Sequence, residues 1–293
     1  MTAKKMLRKA RIMMWASKIL FRLKPLKRTS ERSFRKVKTS QGVVKVIEYG
    51  FQDKTPAPLY VDMHGGGFVL MIAQVDDDMN LYFREKTGVK IISIDYPKAP
   101  DFPYPAAVEA VHEVVQYYFN HAEAFGIDST RIGIGGHSAG ANLATVECMI
   151  AKERSDMTYI FQMLDYPPLD LDVSAYAKPQ PEKCIPPEQA TIFDTSYAKP
   201  EQRAHPHVSP VYATQEQLIG LPPALLIVAG FDSLHDEGVK YATLLEQAGV
   251  SVEKVEFENM AHGFTYNKGE DTVRALAIIA DFINRHIVNE SIS

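Results

Sequence analysis

The chain has 293 residues, 46% hydrophobic and 23% charged, with a formal net charge of −4. That length suits one large domain, or one domain with an insertion, and the acidic balance argues against nucleic acid as the main partner. Two cysteines, Cys148 and Cys184, provide neither a disulfide framework nor metal-ligand spacing, so a reducing, cytoplasmic setting is the simple expectation.

Residues 1–38 are crowded with Lys and Arg and contain one acid, Glu31. Within them IMMWASKILF is apolar but interrupted by Lys18, too short to span a bilayer, and without the small-residue cleavage site of a secretory leader. Two readings stand. One is an amphipathic helix packing Met6, Ala10, Met13, Met14 and Ser17 on the protein's own surface. The other is peripheral contact with an anionic membrane surface, without stable insertion.

Strand-like runs follow at VVKVIEY (43–49), PLYVDMH (58–64), VKIISIDY (89–96), RIGIGGH (131–137), YIFQMLDY (159–166), ALLIVAG (224–230) and SVEKVEFE (251–258). Several are apolar at consecutive positions, as in strands buried on both faces. Helical periodicity lies between them, at 105–125 (Ala107, Val108, Val111, Val115 and Tyr118 on one side), 139–153, 235–248 and 271–288. This alternation predicts an α/β fold with a mostly parallel sheet flanked by helices. Its first two or three strands are expected to be antiparallel, since no long helix separates them. Residues 167–210 break the rhythm: they hold nine of the 18 prolines and no strand signal. The stretch is too long for an ordinary connection. Its Leu169, Tyr176, Ile185, Phe193 and Tyr197 suit a packed cap over the sheet's carboxyl edge.

The strand-to-helix junction at 131–144 reads RIGIGGHSAGANLA, with Gly136 and Gly140 flanking Ser138. A sharp turn of this kind forces one residue into a strained backbone conformation and leaves no room for side chains beside it. In return it exposes a hydroxyl beside a helix amino terminus, whose free N–H groups and dipole favour an oxyanion. Ser138 is therefore a candidate nucleophile. A serine needs a base, and the base needs a third group to fix its tautomer. Asp232 follows ALLIVAG directly, and His262 follows SVEKVEFE in NMAHGF; both stand where a sheet of this kind places catalytic loops. Asp232 also reads as a helix cap, although Asp236 and Glu237 fit that role better. His235 is a weaker candidate base, and His205 and His207 belong to the proline-rich segment. HGGGF (64–68) is either a flexible turn or a loop whose bare N–H groups hold an oxyanion, with Ala139 supplying a further donor.

The motifs HGGGF, DYPKAPDFPYPAA, GHSAGANLA, FDSLHDEG and AHGF, in this order from Val61 to Phe264, resemble those of the hormone-sensitive-lipase-like carboxylesterases, a branch of the α/β-hydrolases. The resemblance implies an eight-stranded sheet with N-terminal cap helices at 1–40. A catalytic core would run over 41–166 and 211–293, with the cap insertion at 167–210 between its parts. It implies Ser138 as nucleophile, His262 as base and Asp232 as orienting acid. Oxyanion donors would come from Gly65, Gly66 and Gly67, chiefly the last two, with Ala139; His64 would orient that loop. It implies a small-molecule ester substrate and neither metal nor cofactor. Relatives are often homodimers, but no dimer seam is readable here. Three positions depart from the family's usual pattern: His137 where Asp is common, Ala141 where Gly is common, and Pro97-Lys98 where Arg-Leu is common. The expected activity is hydrolysis of short- to medium-chain esters. A lipase, an amide hydrolase with the same triad and a non-catalytic small-molecule binder are the alternatives.

Overall fold

The computed structural model describes residues 1–23, 25, 26 and 28–288. Its strands are β1 (Arg32–Thr39), β2 (Gly42–Tyr49), β3 (Ala57–Met63), β4 (Lys90–Asp95), β5 (Ile127–His137), β6 (Phe161–Asp165), β7 (Ala224–Phe231) and β8 (Val252–Ala261). They form one eight-stranded sheet in the order β1-β2-β4-β3-β5-β6-β7-β8. β1 pairs antiparallel with β2, and β2 with β4; every other pairing is parallel. The expected antiparallel start is therefore present. PLYVDM itself, as β3, runs parallel to both of its neighbours.

The helices are α1 (Ala3–Leu23), α2 (Asp77–Thr87), α3 (Ala106–Asn120), α4 (Ala122–Phe125), α5 (Ala139–Arg154), α6 (Pro187–Tyr197), α7 (Gln215–Leu218), α8 (His235–Gln247) and α9 (Glu270–Val288). Period-two alternation divides the sheet's apolar side chains between two cores. Leu226 and Val228 of β7 join Val111, Val115, Val146, Tyr241 and Leu245 from α3, α5 and α8. Leu225 and Ile227 join Phe83, Ile279, Phe282 and Ile283 from α2 and α9. α5 runs through the first core, and its residues Ala139 to Ala151 are all buried.

Two elements differ from expectation. Residues 32–39 were expected among the cap helices at 1–40; they form β1, at the sheet's edge. RSFRKVKT is too basic to read as a strand from composition, yet an edge strand needs only one apolar face, and Val37 is its buried residue. The periodicity over 105–125 is broken at His121, so α3 and α4 are separate helices.

Candidate active site

Ser138 joins the end of β5 to α5 with φ 52° and ψ −119°, a conformation that costs a side-chain-bearing residue about 1–3 kcal/mol. Local hydrogen bonds hold it there. Its N–H donates to the Asp165 carbonyl (2.8 Å), and its carbonyl accepts from the N–H groups of Ala141 (2.9 Å) and Asn142 (3.1 Å). The flanking glycines serve close approach: a Cβ on either Gly136 or Gly140 would collide with the Met63 carbonyl oxygen at the end of β3. The helix start is thus pressed against the neighbouring strand, which holds Ser138 at the sheet's carboxyl edge.

His262 follows β8, and Asp232 follows β7. Ser138 Oγ lies 2.9 Å from His262 Nε2, and His262 Nδ1 lies 2.7 Å from Asp232 Oδ2. A carboxylate only accepts, so Nδ1–H donates to Asp232 and Nε2 is left to accept the serine proton. The other Asp232 oxygen accepts from the Leu234 N–H (3.1 Å), a local turn bond ahead of α8; the N-cap of that helix is Leu234, with no side-chain cap, so Asp232 orients His262 and does not cap the helix. Burial alone would push the His262 pKa down; the charge and hydrogen bond of Asp232 outweigh it, and the imidazole titrates above its ordinary 6.5. A general base works only when neutral, so kcat/KM on a soluble ester should fall about tenfold per pH unit below a midpoint above 6.5. A pH-rate profile with its acid limb centred below 6.5 would contradict this.

The glycine loop follows β3. Gly66 and Gly67 have φ of 112° and 59° and line the same cavity as Ser138. Among the described residues no acceptor takes their N–H groups or that of Ala139. Gly65 differs from the expectation that it is a donor, because its N–H already donates to Tyr266 Oη (3.1 Å). Tyr266 was not singled out from the sequence; its proximity to AHGF was the available signal. His64 Nδ1–H donates to the Gly65 carbonyl (2.6 Å), its ring stacks on Tyr96 (centroids 4.4 Å apart), and Tyr96 Oη donates to the His64 carbonyl (2.8 Å). Burial, helped by the Lys98 charge, pushes His64 down to about 3, so this ring is neutral and shapes the loop without carrying charge. Lys98, one of the departures from the family pattern, is itself buried and bonded to Asp95 and to the Tyr96 carbonyl.

Beneath the elbow lies a second departure. His137 is fully buried, and its Nδ1 is 2.6 Å from Asp165 Oδ2, its register partner on β6. The ligand atoms of Asp62, Asp76 and His137 lie within 4.8 Å of one another. Burial would push His137 down. The Asp165 hydrogen bond and charge, reinforced by Asp76 and Asp62, reverse that and raise it to about 9. The cation offsets the charge of the buried Asp165 carboxylate bonded to it, while burial and the neighbouring Asp62 hold Asp76 well above the usual carboxylate range.

The other histidines that the sequence offered as candidates, His205, His207 and His235, lie elsewhere. His235 bonds to Asp236 and Glu256 (3.0 Å each), His207 to Glu153 (3.2 Å), and the His205 ring lies 6.0 Å from Tyr104. Ser138 and His262 open on a cavity of about 290 Å³ whose walls are mainly apolar, including Phe68, Leu70, Leu171 and Phe193. Phe193 and Tyr197 of α6 reach the glycine loop: Tyr197 stacks on Phe68 with centroids 3.7 Å apart, and a Cβ on Gly67 would strike the Phe193 ring. Met13, Met14, Trp15 and Phe21, which the sequence left either in the pocket or merely packed, are not among the cavity's lining residues.

A family model for the alpha/beta hydrolase fold matches residues 60–266. The chain is 31% identical to Esterase LipI of Mycobacterium tuberculosis over 214 residues, which is 72% of this chain and 67% of that protein. It is 35% identical to Carboxylic ester hydrolase LipN of the same organism over 216 residues, 71% of this chain and 57% of that one. Among solved structures, a hyperthermophilic esterase from the archaeon Pyrobaculum calidifontis superposes with a TM-score of 0.80 at 29% identity, covering 97% of this chain and 91% of that one. The chain belongs to the α/β-hydrolase fold family and, within it, to the hormone-sensitive-lipase-like carboxylesterases, which are serine hydrolases of carboxylic esters.

Proposed function

We propose that Ser138, His262 and Asp232 hydrolyse short- to medium-chain carboxylic esters through an acyl-enzyme on Ser138. The observation that carries this reading is the unbroken chain Asp232–His262–Ser138 opening on an apolar cavity. As Ser138 Oγ attacks the ester carbonyl, His262 Nε2 takes its proton, and Asp232 stabilises the imidazolium that forms. The N–H groups of Gly66, Gly67 and Ala139 receive the oxyanion, each such donor being worth about 3–4 kcal/mol in the transition state. Collapse of the tetrahedral adduct expels the alcohol, which takes the proton from His262. Water then attacks the acyl-serine, His262 again removing and returning one proton, to release the acid and restore Ser138.

Phe68, Leu70, Leu171 and Phe193 give the cavity beside Ser138 apolar walls that suit an acyl chain, and α6 of the cap segment closes over it. α1 and residues 167–210 act in this reading as the cap, with 41–166 and 211–293 as the core. Cys184 is unbridged and Cys148 buried, consistent with a reducing cytoplasmic setting. Initial rates on p-nitrophenyl esters from acetate to palmitate test the proposal. A maximum at chains of about two to eight carbons is expected; a maximum at palmitate, with rates rising above its solubility limit, would replace it with an interfacial lipase.

A further inference from the structure

α1 has two different faces. Ala10 and Met14 are buried, Met6 and Met13 pack against the core, and Ser17 Oγ accepts from the Met71 N–H (2.8 Å). The opposite face carries Ile12, Trp15, Ile19 and Leu23, spaced by three to four residues and 58–76% exposed. Among the described residues nothing covers this stripe. Six of the 14 exposed large apolar side chains among the described residues fall in residues 1–23, so the apolar surface is concentrated on this helix rather than scattered.

The charge on the same face has one sign. Lys4, Lys5 and Arg8 extend the stripe toward the amino terminus, and Arg11, Lys18 and Arg22 border it; no acid occurs before Glu31. Arg11 pairs with Asp101, and Lys18 lies 5.9 Å from the Trp15 ring centroid. Among the described residues Lys4, Lys5, Arg8, Lys18 and Arg22 make no ion pair. Aliphatic and Trp side chains flanked by unpaired cations are the composition of a helix lying in a membrane interface. A second copy of this chain is the poorer occupant, because a twofold contact would set basic face against basic face.

α1 also sits beside the cavity's rim. Met71, bonded to Ser17, lines the cavity, and so does Gln189, one residue after the Glu188 that pairs with Lys9. We propose that the outward face of α1 docks on anionic lipid surfaces and presents the cavity's rim to them. The binding does not depend on the chemistry at Ser138, so it is tested separately from it.

Trp15 is the chain's only tryptophan, and its emission therefore reports this face alone. The full chain should co-sediment with phosphatidylcholine vesicles containing about one-third phosphatidylserine, with a blue shift of Trp15. Binding to phosphatidylcholine alone should be at least about tenfold weaker, and about 0.5 M salt should weaken the anionic binding. The double substitution Ile19→Asp, Leu23→Asp should reduce vesicle binding at least about tenfold while leaving turnover of a soluble ester and the melting temperature unchanged. Equal binding to both vesicle types, or an unshifted Trp15 emission, would overturn the proposal. So would a blue shift without lipid accompanied by a dimer mass, which would make a second copy the occupant.

Discussion

Replacing Ser138 with alanine should lower kcat on a short-chain p-nitrophenyl ester by about 10⁴ to 10⁶-fold and leave the fold in place. The two parts follow from different features. Turnover disappears because, among the described residues, Ser138 Oγ is the side-chain partner of His262 Nε2, at 2.9 Å. The fold persists because the elbow is held by backbone hydrogen bonds to Asp165, Ala141 and Asn142 and by the close approach of Gly136 and Gly140 to Met63, none of which uses the hydroxyl. The melting temperature should therefore move by no more than the equivalent of about 1 kcal/mol. Any residual rate would come from the oxyanion donors and substrate binding. A variant with near-full turnover would remove Ser138 from the mechanism.

Replacing His137 with leucine should have the largest effect on stability, a loss of about 3–5 kcal/mol at neutral pH, or roughly 10 °C in melting temperature. Asp165 has no exposed surface, and the substitution removes the imidazolium bonded to it while leaving the carboxylate buried. Thr265 still donates to Asp165 (2.8 Å), but a hydroxyl does not neutralise a carboxylate. The pH dependence should change in a defined direction. His137 titrates at about 9 in the folded chain and near 6.5 when unfolded. Its contribution, about 3 kcal/mol, is complete below pH 6.5 and disappears as pH rises to about 9. Wild type should lose stability across that window, and the leucine variant should not lose this component. His137→Asp, the residue common in the family, should also be poorly tolerated, because it sets a second acid against the buried Asp165 in place of its cation. Thermal melts from pH 6 to 9.5 read both effects, and equal melts for wild type and His137→Leu would show that the buried imidazolium does not support the elbow.

The parts of the site legible in the sequence are those where chemistry restricts the residue type. Gly136 and Gly140 admit no side chain, a serine nucleophile needs a histidine, and that histidine needs an acid at the end of another strand; GHSAG, Asp232 and His262 each follow a strand visible in its own composition. The parts that stayed hidden depend on sheet register. His137 meets Asp165 only because β5 and β6 are adjacent and in that register, and Asp62 and Asp76 come from β3 and the turn before α2. The assignment of Gly65 as an oxyanion donor failed for a similar reason: its N–H partner, Tyr266, is 201 residues away. β1 was hidden by its basic composition, and α2 by acids and an asparagine that are buried through partners rather than by apolarity: Asn80 donates to Asp62, while Asp77 accepts from Tyr49 and Arg32.

The central claim is a covalent acyl group on Ser138. Rapid mixing of the full chain with a slowly deacylating p-nitrophenyl ester, quenching in acid and analysing the protein by mass spectrometry tests it most directly. The expected result is a stoichiometric burst of p-nitrophenol with the mass of one acyl group added, located on the peptide containing Ser138. Steady turnover with no burst and no adduct, or an adduct on a different residue, would contradict it.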